Sequence, residues 1–140
     1  MLRPDDLVRR IYYERFVKLG AVKYQAFNPS ARDIGQGISV HSAGSGLTTT
    51  EEVNAYIDGE SGLGRRLGYC MLPRSEVSKV PGLEVTHSDV DGDALTHLHH
   101  LISSEASPDN CPTEAERREL AKIATVRGDF VCPIEKLPPV

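Results

Sequence analysis

The segment PTEAERRELAKIATVRG, residues 112 to 128, marks both of its own ends. Thr113 and Glu116 stand three apart as a capping box, Pro112 precedes them, and Gly128 follows the last apolar residue. Leu120, Ile123 and Ala124 form a narrow apolar stripe, so a helix over 113–127 needs a surface on which to bury it. The rest of the chain offers that surface as short alternating runs. GISVHS sets Ile38 and Val40 on one face and Ser39 and His41 on the other. RRLGYCMLP reads as a strand through Leu67, Tyr69 and Met71, and GLEVTH as another through Leu83 and Val85. AVKYQAF alternates Val22, Tyr24 and Ala26 with Lys23 and Gln25, which predicts a further strand before the turn-forming loop NPSARDIGQG.

Two segments read as additional helices. In PDDLVRRIYYERFVKLG, Leu7, Val8, Ile11, Phe16 and Leu19 fall near helical spacing, acidic residues fill the first turn, and Gly20 follows. Its β-branched and aromatic content also allows a strand at its start. In TTEEVNAYIDG, Thr49 or Thr50 caps a stripe of Val53, Tyr56 and Ile57 before Gly59. The tail DFVCPIEKLPPV offers a short edge strand before its prolines. Short strands mixed with helices, and no repeat of 20 to 50 residues, predict an α+β fold: a small, mostly antiparallel sheet covered by helices. At 140 residues, 39% hydrophobic and 26% charged, the expectation is one globular domain spanning 1–140.

No run approaches the about 18 apolar residues of a membrane span, and MLRPDDLVRR has no apolar stretch after its charges. The expected compartment is the cytoplasm, with no membrane partner. Three cysteines, Cys70, Cys111 and Cys132, form no CxxC pair and are read as reduced structural thiols. Charge is uneven: residues 1–32 hold seven basic residues (Arg3, Arg9, Arg10, Arg15, Lys18, Lys23, Arg32) against Asp5, Asp6 and Glu14. The remainder holds nine basic against seventeen acidic residues. Arg9, Arg10, Arg15 and Lys18 on a first helix are therefore candidate binding residues, for nucleic acid phosphates or an acidic partner.

The stretches GAVKYQAFNP, DIGQGISV and HHLI, about a sixth of the chain, resemble a group of small bacterial proteins with no known activity. The resemblance implies a bacterial source. It also bears on DALTHLHHLIS, where Leu95, Leu98, Leu101 and Ile102 fit a helix by periodicity, because the matching H-x-x-I segment of that group looks like a strand. A strand over 97–103 would place His97 and His99 on one face, about 7 Å apart, with His87, Asp89, Asp91 or Asp93 as a third metal ligand. DVDGD itself fails as a calcium loop, since Ala94 stands where glycine makes the turn and His100 where a bidentate glutamate is needed.

Asp33, Ser39 and His41 form a separate set, without a G-x-S-x-G around Ser39; the plainer role for Asp33 is to bond backbone amides in its loop. Three functions follow as expectations. The first is a protein-interaction module, part of a multi-protein system, supported by uneven charge and scattered tyrosines. The second is a hydrolase or nuclease using His97, His99 and Asp33 as catalytic residues, with a divalent metal on His97, His99 and Asp91. The third is nucleic-acid contact through the basic N-terminal segment. No other cofactor is indicated.

Overall fold

A computed structural model describes residues 3–12, 17–18, 21–43, 67–90 and 96–126. Five strands form one antiparallel sheet: β1 (Asp6–Tyr12), β4 (Ile38–Ser42), β5 (Leu67–Pro73), β6 (Leu83–His87) and β7 (His99–Ser104), in the order β5-β1-β4-β7-β6. A small ribbon pairs β2 (Val17–Lys18) with β3 (Ala21–Val22). Two helices, α1 (Arg74–Val77) and α2 (Glu114–Val126), complete an α+β class. The segments read above at 49–59 and 129–134 lie outside the described residues, as do Asp91 and Arg15.

The first segment begins as a strand, the alternative its β-branched and aromatic residues allowed, where helical spacing predicted a helix. Leu7 and Ile11 face the core and Val8 the other side, a pattern that fits two periods at once; Arg9 on the core face hides the alternation. Pairing decides it, because β1 bonds β5 along its whole length and β4 at Leu7 and Val8. AVKYQAF is likewise only partly extended: after β3 the chain winds into a 3-10 turn, η1 (Tyr24–Phe27), which buries Ala26 and Phe27 together. The expected strand at 97–103 starts later, since Thr96–Leu98 is a second 3-10 turn, η2.

One core cluster joins residues of the sheet, η1 and α2. Leu7, Ile11, Ile38, Val40, Cys70, Leu72 and Ile102 meet Phe27, Leu120, Ala121 and Ala124 there. Fully burying side chains of this size contributes about 1.5 to 3 kcal/mol each before chain entropy is counted. The opposite face is also withdrawn from water at Val8, His41, Met71 and His99. The capping box forms as spaced: Glu116 N–H donates to Thr113 Oγ1 at 3.2 Å, and Thr113 N–H to Glu116 Oε1 at 2.8 Å. Ser104 Oγ also donates to Glu116 Oε1 at 2.6 Å, so one buried carboxylate ties the start of α2 to the end of β7.

Candidate functional site

The neighbouring strands β4, β7 and β6 carry four of the five histidines. Successive residues of a strand point to opposite faces, so His99 and His100 on β7 look away from each other. On one face His99 meets His41 of β4, directly opposite in register, edge to face at 5.2 Å and 74°. On the other His100 meets His87 of β6 at 5.3 Å and 78°. His87 continues to Asp89, with Nε2 3.5 Å from Oδ1.

Both nitrogens of His99 are engaged. Nδ1 lies 2.7 Å from the Ser88 carbonyl oxygen, and Nε2 lies 2.6 Å from Ser39 Oγ. A carbonyl can only accept, so Nδ1 carries the proton; Nε2 is then the acceptor, and the Ser39 hydroxyl is the donor. Ser39 is half-buried and His99 is buried.

His100 Nδ1 donates to the Leu98 carbonyl at 2.8 Å. Burial pushes its pKa below the ordinary histidine value; the Leu98 bond opposes this, while Arg74, His87 and His99 add to the lowering. An unfolded chain therefore takes up this proton first as acid is added. The contribution of His100 to stability is intact above about pH 6.5 and is lost as pH falls toward its folded value. The melting temperature should drop more steeply from pH 7.5 to 5.5 in the native chain than in His100→Gln, and equal slopes would contradict this cause.

The expected catalytic residues lie on three separate elements: Asp33 in the loop before β4, His97 in η2 and His99 on β7. Among the described residues no hydrogen bond joins any two of His97, His99 and Asp33. His97 is exposed in η2 and off the strand, so it shares no strand face with His99. Among the described residues no group of three His, Cys, Asp or Glu side chains is placed to hold a metal. Asp33 instead holds its loop: Oδ2 accepts from Ser30 N–H at 2.7 Å, and its carbonyl accepts from Gln36 and Gly37 N–H at 2.9 and 3.0 Å.

Arg9 is likewise committed. Its guanidinium donates to the carbonyls of Ala26 (2.8 Å), Ser39 (2.6 Å) and Asn28 (3.3 Å), a fork that joins β1, β4, η1 and the residue after η1. Arg10 lies on β1 and Lys18 on β2, so the basic residues do not line one helix. Cys70 and Cys111 are buried thiols; burial pushes Cys70 up to about 12 and also raises Cys111.

A feature that no motif marks is Ile34, 53% exposed in the loop between η1 and β4. The loop is braced on its neighbour: Gly35 N–H donates to the Asp109 carbonyl at 2.7 Å, Asn110 Nδ2 to the Gly35 carbonyl at 2.9 Å, and Cys111 Sγ to the Asp33 carbonyl at 3.2 Å. Asn110 itself has a left-handed φ of 62°. An isoleucine between aspartate and glycine, among turn formers, was the available signal. No helix among the described residues is long and apolar enough to cross a membrane. No protein-family model, curated protein or solved structure matches the chain significantly.

Proposed function

We propose that the chain is a protein-interaction module, a cytoplasmic component of a bacterial multi-protein system, and that the loop 30–37 is its contact element. The observation that carries this reading is Ile34: a large apolar side chain held out to solvent on a loop whose backbone is fixed at Asp33, Gly35 and Gly37. Single exposed apolar residues are common on protein surfaces. This one sits on a backbone already ordered, so docking it does not incur the usual cost of fixing a loop. The occupant is a partner protein with an apolar socket for Ile34 and an acidic rim for the exposed Arg32 beside it. Engagement of Arg9 with backbone carbonyls weighs against the nucleic-acid alternative, because a side chain so held is not offered to phosphates.

The test uses the full chain and Ile34→Asp in parallel affinity captures, followed by titration of whatever protein is enriched. Because Ile34 is exposed, the substitution should leave the free energy of unfolding within about 0.5 kcal/mol of the native value. A partner bound by the native chain and weakened about 30-fold or more by Ile34→Asp is the expected result. Equal capture by both chains, or no enriched partner, overturns the assignment.

A further inference from the structure

The sheet parts at Ser39. The ladder between β1 and β4 ends at the Val8–His41 pair, although β1 continues beside β5 as far as Tyr12. Ser88 N–H donates to the His99 carbonyl at 3.0 Å, so in β7 the backbone of His99 faces β6 and that of His100 faces β4. By the same alternation the backbone of Ser39 faces β1, where its carbonyl receives the Arg9 guanidinium at 2.6 Å in place of a strand amide. The Ser39 side chain, on the opposite sheet face from the core, donates to His99 Nε2 at 2.6 Å. The Ser88 carbonyl fixes that ring's other nitrogen at 2.7 Å.

From this geometry we propose that Ser39 is a nucleophile and His99 its general base, forming a serine-type acyl-transfer site for activated esters. Nucleophile, base and orienting acceptor stand in the order such a site requires. As Ser39 Oγ bonds to the acyl carbon, its proton passes to His99 Nε2. The carbon–oxygen bond to the leaving group then breaks, and the departing aryloxide takes that proton. Water repeats the sequence on the acyl-serine, releasing the acid and restoring both residues. The group that orients His99 is a neutral carbonyl, which stabilises an imidazolium less than a carboxylate does. The substrate class is therefore esters with good leaving groups, such as aryl esters, and turnover should be slow.

This assignment is independent of the loop at Ile34 and is read separately. The full chain is treated with a fluorophosphonate probe and with p-nitrophenyl acetate, and the adduct is located by intact mass and peptide mapping. The expected result is one adduct per chain on Ser39, absent in Ser39→Ala and slowed about 100-fold in His99→Gln, with His97→Ala unchanged. His99→Gln is compared only if it melts cooperatively. If it does not, the native chain is compared with itself in denaturing urea, where Ser39 labelling should fall by a similar factor. No adduct on Ser39 overturns the proposal. So does labelling as fast in urea or in folded His99→Gln as in the native chain.

Discussion

Replacing Gly37 with alanine is expected to destabilise the fold by about 3 to 5 kcal/mol, read as a lower midpoint of urea unfolding with an unchanged slope. Gly37 sits at a φ of 126°, where L side chains are strained. A Cβ there would stand 2.7 Å from the Ile102 carbonyl oxygen, 3.1 Å from its carbon and 3.2 Å from Ser103 Cα, all backbone atoms of β7. A flexible side chain would move aside, but a paired strand cannot. Gly35 supplies the control, since its φ is 90° and a Cβ there meets nothing within 4 Å. Gly35→Ala should therefore cost only the backbone strain, about 1 to 2 kcal/mol. Equal losses at the two positions would show that close approach to β7 is not what requires Gly37.

Arg9→Met should cost a similar amount, about 3 to 5 kcal/mol, because the thioether keeps the packing volume and leaves three carbonyls without their donor. Each unpaired acceptor in a partly buried place, at Ala26 and Ser39, costs about 1 kcal/mol or more, and the strand gap at Ser39 loses the Arg9 bridge to β1. Arg9→Lys should recover little, since an ammonium cannot span the carbonyls of Ala26, Asn28 and Ser39 as a planar fork does. Arg32→Met, at an exposed position, should stay within about 0.5 kcal/mol. Urea melts of the three variants separate these outcomes. A mild Arg9→Met would mean that water replaces the guanidinium and that the fork does not hold the sheet together.

Where the sequence was legible, local signals and tertiary pairing agreed. GISVHS, GLEVTH and LGYCMLP are strands as their alternation requires, and the spacing of Thr113 and Glu116 forms the capping box it implies. It misled where a side chain works against its type. Arg9 on a core face breaks the apolar alternation of β1, and the remaining residues mimic a helix. Phe27 is buried by a 3-10 turn that the alternation of AVKYQAF does not encode. The histidines were conspicuous as a cluster, and alternation alone divides His99 from His100; what the sequence did not show is that η2 moves the start of β7 from His97 to His99 and takes His97 off that face. Ser39 was visible as a hydroxyl beside His41. Its bond goes instead to His99, sixty residues away, through a register that only the folded sheet defines. Ser88 contributes a backbone carbonyl, a group no motif can single out.

The functional account rests on a contact loop that is ordered before any partner arrives. Amide hydrogen exchange at Gly35, Gln36 and Gly37 in the isolated chain measures this most directly, because each of these N–H groups donates to a carbonyl of Asp109 or Asp33. Exchange slowed about 100-fold or more relative to an unstructured peptide is the expected result. Exchange of all three at the unstructured rate would mean that Ile34 rides on a loose segment, and the preformed contact would be contradicted.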